Sequence, residues 1–143
     1  MQINAPIYSR RLLLTSLFIS VDCVYAYLLG NCMDFAIWDG LCVISSINYW
    51  RNPQKDWRRT CDMIISVPLF MYHVLVAYVE LLHYSQPKYL YLLMAAACMV
   101  LYFMGSFSKE PRIGQILHST MHILGVCACL LMYYYVSKER KIG

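Results

Sequence analysis

Five apolar runs, each close to the length of a membrane-spanning helix, dominate the sequence. They cover residues 12–29, 33–50, 62–82, 89–107 and 116–136. An α-helix needs about 20 apolar residues to cross the hydrocarbon core of a bilayer, and its backbone hydrogen bonds are satisfied internally. The short segments between the runs make neighbouring helices antiparallel. The sequence therefore predicts an all-α fold, a polytopic membrane helix bundle with about five transmembrane helices, formed by residues 1–143 as a single domain.

Composition supports a membrane location. Hydrophobic residues make up 60% of the chain and charged residues only 14%, with a mean hydropathy of +0.49. A soluble domain of this size cannot bury so much apolar surface. The net charge is +4, and the basic residues cluster between the apolar runs, a pattern that favours anionic lipid headgroups over nucleic acid. We expect membrane lipid as the partner, no nucleic acid, and a homo- or hetero-oligomer as an open alternative.

The distribution of lysine and arginine predicts the orientation. If the N-terminus is cytoplasmic, the inner segments hold eight basic residues and the outer ones four. The eight are Arg10, Arg11, Arg51, Lys55, Arg58, Arg59, Lys109 and Arg112, and the four are Lys88, Lys138, Arg140 and Lys141. This excess predicts a cytoplasmic N-terminus and a C-terminus on the opposite side. No small-residue cleavage site follows the first run, so we interpret it as a retained signal anchor.

Several polar residues fall at one predicted depth. His118 and His122 are four residues apart at the start of the last run and share one helix face. Ser46 and Asn48 lie just before the end of the second run, and Asp62 opens the third. These three run ends lie on the same side of the bundle in either orientation. The sequence therefore predicts a polar pocket formed by the second, third and fifth runs.

The same residues resemble a known family pattern. Ser46, Asp62 and the segment His118-Ser-Thr-Met-His122 are similar to the CREST superfamily, which includes alkaline ceramidases and the adiponectin and progestin receptors. Its members carry Ser-x3-His on one helix, Asp at the start of the next and His-x3-His on the last. The resemblance implies a zinc-dependent hydrolase of a lipid amide or ester. His118, His122 and Asp62 would hold zinc, Asp62 would be ligand or base, and Ser46 would orient water or the oxyanion.

Two features depart from that pattern. Trp50 stands where the family has its first zinc histidine, and the chain has five predicted spans where the family has seven. A catalytic zinc usually has three protein ligands, so Asp62 or Asn48 would have to complete the set. The segment from Ser45 to Arg51 also resembles short multi-span proteins of algae, protists and large DNA viruses, a likeness that implies no activity.

Simpler interpretations of these residues remain open. The two histidines can be interhelical hydrogen-bonding groups, as can Ser46 and Asn48, and a bis-histidine haem would need His73, which lies too deep. Asp62 can cap its helix beside Arg58 and Arg59. The alternative function is therefore a non-catalytic structural or assembly subunit of an organelle complex or virion membrane.

Acidic residues inside the runs form a second group. Asp22 lies near the middle of the first run, where a charge is costly, so we expect it to face the bundle interior or to be protonated. Asp34 and Asp39 open the second run and are expected near water at its positive end. A proton or ion pathway through Asp22 and His73 is conceivable, but no inverted repeat supports a transporter.

Overall fold

The computed structural model of the chain describes residues 6–53 and 57–142. This part of the chain is all-α, as predicted. The helices are α1 (Pro6–Leu17), α2 (Ile19–Leu29), α3 (Met33–Trp50), α4 (Trp57–Glu80), α5 (Ser85–Phe107) and α6 (Pro111–Ile142). Lys55, one of the eight basic residues of the predicted inner segments, lies outside the described residues.

The first two helices form one nearly continuous rod. Only Phe18 separates α1 from α2, and its backbone stays in the right-handed helical region. The Phe18 amide donates to the Thr15 carbonyl oxygen at 3.1 Å, which is a local tightening from i−4 to i−3 bonding. Because the direction of the chain is kept, Ser9–Leu29 acts as a single apolar helix.

Four helices of the described chain are long and apolar enough to cross a membrane. They are Ser9–Leu29, Trp57–Glu80, Ser85–Phe107 and Pro111–Lys141. Large apolar side chains cover the outside of the bundle, with Leu28 74% and Phe107 81% exposed. Such a surface is stable against lipid and not against water. The prediction of a membrane helix bundle is therefore confirmed for these four helices.

Several helices extend beyond the predicted runs. α4 begins by Trp57 instead of Asp62, α5 begins at Ser85 instead of residue 89, and α6 begins at Pro111 and continues to Ile142. Hydropathy marks only the apolar part of a helix, whereas backbone hydrogen bonding continues through polar turns. Pro111 suits the first helical position because its missing N–H has no intrahelical partner there. Asp62 therefore lies more than a turn inside α4, and its interpretation as a helix cap is wrong.

Close packing of α5 on α6 depends on two glycines. A Cβ atom at Gly114 would lie 2.9 Å from the Gly105 carbonyl oxygen, and one at Gly105 would lie 3.2 Å from the Gly114 carbonyl oxygen. The distance at Gly114 is too short for a side chain and the one at Gly105 is tighter than an ordinary contact, so the two backbones approach closely, as at small-residue contacts between membrane helices. This contact places the beginning of α6, with its two histidines, against the end of α5.

The bundle has two polar ends, which we name by one residue each. The Arg140 end contains the turn between α2 and α3 together with the last turns of α4 and α6, since Arg140 contacts Asn31 and Glu80. The His118 end contains the last turn of α3 and the first turns of α6, since the Trp50 and His118 rings are in contact. Trp50 and Arg140 therefore lie at opposite ends of the bundle.

Candidate functional site

Ser46 and Asp62 meet at the His118 end, as their predicted depths required. The Ser46 hydroxyl donates to Asp62 Oδ1 at 2.7 Å, and the Ser45 hydroxyl donates to the same oxygen at 3.0 Å. Ser45 and Ser46 are buried on α3, and Asp62 is half-buried on α4. Hydrogen bonds to a carboxylate are stronger than neutral ones. The hydrogen bonds from Ser45 and Ser46 to Asp62 therefore connect α3 to α4 at the His118 end.

The two histidines lie side by side on α6. The ring centroids of His118 and His122 are 4.9 Å apart in an edge-to-face arrangement. His122 is 8% exposed, and its Nδ1 atom has no hydrogen-bond partner among the described residues, although the ring contacts the Thr15 backbone. A buried polar atom without a partner is costly, so the pair is incompletely satisfied by the protein.

Trp50 packs against His118. Their ring centroids are 5.4 Å apart, and the indole, which is 7% exposed, belongs to a small apolar cluster with Leu12 and Tyr49. The Tyr102 ring approaches His118 from α5, at 5.9 Å between centroids. The position where the CREST pattern has a histidine therefore does face the histidine pair, but here it holds an indole that cannot act as a metal ligand.

These donors do not form a complete metal site. In residues 6–53 and 57–142, no group of three or more His, Cys, Asp or Glu side chains is placed to hold a metal ion. Asp62 is directed to Ser45 and Ser46, while His118 contacts the Trp50 and Tyr102 rings and His122 packs on His118. The residues present therefore do not fit the three-ligand set that a catalytic zinc needs, and zinc stays a prediction.

A second polar cluster lies in the middle of the bundle, where the sequence did not predict one. Asp39 is 1% exposed, which corrects the expectation that it lies near water. Its Oδ2 atom accepts a hydrogen bond from the Tyr133 hydroxyl at 2.7 Å, and the same hydroxyl lies 3.0 Å from His73 Nε2. Cys129 Sγ lies 3.5 Å from His73 Nδ1. This central network connects α3, α4 and α6.

Asp22 faces the interior, as its position in the first run predicted. Its side chain is 2% exposed, and its Oδ1 atom has no hydrogen-bond partner within residues 6–53 and 57–142. It lies within electrostatic range of Asp39 on the neighbouring helix. Asp22 and Asp39 therefore form a pair of buried carboxyl groups beside the central network.

Arg140 organises the opposite end. Its guanidinium makes five hydrogen bonds at 2.7 to 3.0 Å, two to Asp34, two to Glu80 and one to the Asn31 carbonyl oxygen. These bonds use all five N–H groups of the side chain. Tyr72 also donates to Asp34, and the guanidinium lies 5.0 Å from the centre of the Phe35 ring.

The sequence contained one usable signal for the central network, which it did not predict. Asp39, Cys42 and Ser46 follow one another at spacings of three and four residues, which places them on one face of α3. Tyr133 has no such signal, because it is one of three consecutive tyrosines. Arg140 has no such signal either, because it lies in a basic segment after the last apolar run.

Comparison of the chain with protein-family models, with curated proteins and with solved structures gave no match. The CREST resemblance stays a prediction based on Ser46, Asp62, His118 and His122.

Proposed function

We propose that this chain is a non-catalytic integral membrane protein with a structural or assembly role, of the kind found as subunits of organelle complexes or virion membranes. The observation that carries this proposal is the contact of Trp50 with His118. The apolar indole of Trp50 occupies the position opposite the histidine pair. A binding site for a lipid headgroup would need that space and the free donor atoms around it.

The polar side chains support the same proposal because they bond to one another across helices. Ser46 and Asp62 join α3 to α4, Tyr133 and Asp39 join α6 to α3, and Arg140 joins α6 to both α3 and α4. In a bilayer, where burial of apolar surface does not drive helix association, such bonds are a main source of cohesion. Polar groups used in this way hold the bundle together and need no substrate.

The proposal includes α3 as a fifth span. Its 18 residues extend about 27 Å at 1.5 Å per residue, close to the thickness of the hydrocarbon core. Asp34 is paired with Arg140 at one end and Asp39 is buried, so neither carboxylate is presented to lipid. Five antiparallel spans, with the N-terminus cytoplasmic, place the C-terminus on the opposite side of the membrane. Reporter tags at the two ends test this topology, and same-side termini would overturn the five-span count.

Metal analysis tests the non-catalytic proposal. Full-length protein purified in mild detergent should contain no stoichiometric zinc, and chelator should leave its unfolding transition unchanged. Asp62→Asn should lower stability without any effect of added zinc. About one zinc per chain, lost in a His118→Ala, His122→Ala double variant together with stability, would overturn the proposal, since metal binding is linked to folding.

A second candidate is the lipid hydrolase that the CREST resemblance implies. It is supported by the unpartnered Nδ1 atom of His122 and by the Ser46–Asp62 pair at the same end of the bundle. It requires a third zinc ligand beside His118 and His122. Release of fatty acid from a lipid amide or ester, lost in His122→Ala, would favour it over the structural role.

A further inference from the structure

The middle of the bundle holds two carboxyl groups at a depth where ionised groups are costly. Asp22 on α2 and Asp39 on α3 are 2% and 1% exposed. Carboxyl groups at this depth are rare in membrane helices and indicate function by default.

The central network supplies Asp39 with the hydrogen-bond donor that an ionised carboxylate needs. Tyr133 has one proton and donates it to Asp39 Oδ2. His73 Nε2 must then donate to the Tyr133 oxygen, which leaves His73 Nδ1 to accept from the Cys129 thiol. Every donor in this chain is directed towards Asp39, which is the arrangement that stabilises a carboxylate.

In residues 6–53 and 57–142, no cation compensates a second negative charge beside Asp39. Among the described residues, the titratable groups acting on the two carboxyls are thiols, phenols and His73, which is neutral in this bonding pattern. They are Cys23, Cys42, His73, Tyr91, Cys129 and Tyr133. Arg140 is fully engaged at the end of the bundle. Two neighbouring carboxylates in a low-dielectric interior cannot both remain ionised without a positive partner.

Asp22 has an oxygen atom to which the proton could bind. Its Oδ1 atom is buried and accepts no hydrogen bond from the part of the chain that the structure describes, which is unfavourable for a carboxylate oxygen and tolerable for a neutral carboxyl group. The two acids therefore have opposite environments. Asp39 is surrounded by donors, and Asp22 has a buried oxygen without any.

From this geometry we infer that Asp22 and Asp39 form an intramembrane proton-binding site, in which Asp22 holds the proton and Asp39 carries the negative charge. The ligand is a proton taken from water and returned to it, so no other group is transferred. Loss of that proton changes the charge between α2 and α3 from one negative unit to two, and its return restores one. Ionisation of Asp22 would therefore drive the two helices apart, which makes the site a proton-dependent control of their packing.

Infrared spectroscopy of the full-length chain in phosphatidylcholine nanodiscs tests the site. A buried protonated carboxyl gives a carbonyl band that shifts in D2O, whereas exposed acids are ionised at neutral pH and do not contribute. The wild type should show this band at neutral pH and lose it as the pH rises. Asp22→Asn should remove the band, Asp39→Asn should retain it, and Asp34→Asn, which alters the ion pair with Arg140, should leave it unchanged.

Two further measurements keep the proposal falsifiable if a variant folds poorly. Labelling wild-type aspartate with carbon-13 should shift the band, which assigns it to aspartate without any substitution. Asp22→Asn should also be at least as resistant to unfolding as the wild type at neutral pH, because an amide resembles a neutral carboxyl group. Absence of the band from the wild type, or its survival in Asp22→Asn, would overturn the proposal. Its loss when sodium replaces choline at constant pH would show a metal cation in the site and overturn it equally.

Discussion

The Arg140 end and the His118 end both contain buried or half-buried polar residues at the edge of the membrane, yet their bonding differs. At the Arg140 end, one guanidinium neutralises Asp34 and Glu80 and uses all its donors. At the His118 end, the hydrogen-bond partners of Asp62 among the described residues are hydroxyl groups, and His122 keeps an unpartnered nitrogen.

That difference separates two uses of polar groups in a membrane bundle. A charge that is fully paired contributes mainly to stability, and its removal leaves uncompensated charges behind. A group that lacks a partner contributes less and remains available to a ligand. The Arg140 end is therefore the fully paired end of the bundle, and the His118 end keeps a polar atom that a ligand could contact.

The largest effect is expected from Trp50→His. Removing the buried indole should lower the free energy of unfolding by about 3 kcal/mol in metal-free buffer, because packing against His118 and Leu12 is lost. The new imidazole would stand beside two others, so zinc should bind more tightly than to wild type and recover part of that loss. Calorimetry with zinc and denaturant titration measure both effects. Trp50→Phe is the control, since it opens similar space and adds no ligand.

If Trp50→His gained no zinc affinity over Trp50→Phe, the positional match with the CREST pattern would be wrong. The comparison between the two ends would then be one of stability alone.

Arg140→Ala should have the next largest effect. It leaves Asp34 and Glu80 half-buried without a cation, and we expect a loss of about 2 kcal/mol because both carboxylates keep some contact with water. Denaturant titration of Lys141→Ala, an exposed cation on the same turn of α6, gives the control. Equal stability of the two variants would remove the distinction between the ends.

Tyr133→Phe tests the network between the two ends. The substitution keeps the ring, which stacks on Phe35, but removes the donor to Asp39. A loss of about 1.5 kcal/mol is expected, since a buried acceptor is left unsatisfied. Tyr134→Phe changes an exposed hydroxyl on the next residue and should be nearly neutral in the same unfolding assay. A neutral Tyr133→Phe would mean that the central network adds no cohesion.

The sequence predicted the fold class and the depth of the His118 end well, for a physical reason. Apolar runs of fixed length define both the helices and the distance of each residue from the run end, so Ser46 and Asp62 could be placed together before any contact was known. The i, i+4 spacing likewise fixed His118 and His122 on one face.

Rotation of a helix about its axis is what the sequence left undetermined. Asp39 was assigned to water from its position near a helix start, and only its burial against Tyr133 shows that it faces inward. Arg140 follows three consecutive tyrosines and a lysine, so local composition does not reveal its long-range partners Asp34 and Glu80. Such contacts depend on the packing of whole helices.

The smallest effect is expected from Ser46→Ala, and it sharpens the comparison most directly. Loss of one hydroxyl donor to Asp62 should cost about 0.5 to 1 kcal/mol, because Ser45 still donates to the same oxygen at 3.0 Å. Thr120→Ala is the control, since its exposed hydroxyl bonds only within α6, to the Ile116 carbonyl oxygen. A Ser45→Ala, Ser46→Ala double variant should lose more than the sum of the single losses, since only then is the half-buried carboxylate left without a hydroxyl donor. An additive double variant in the denaturant titration would indicate that Asp62 is satisfied by water. The His118 end would then be open to solvent and not held by the Ser46–Asp62 pair.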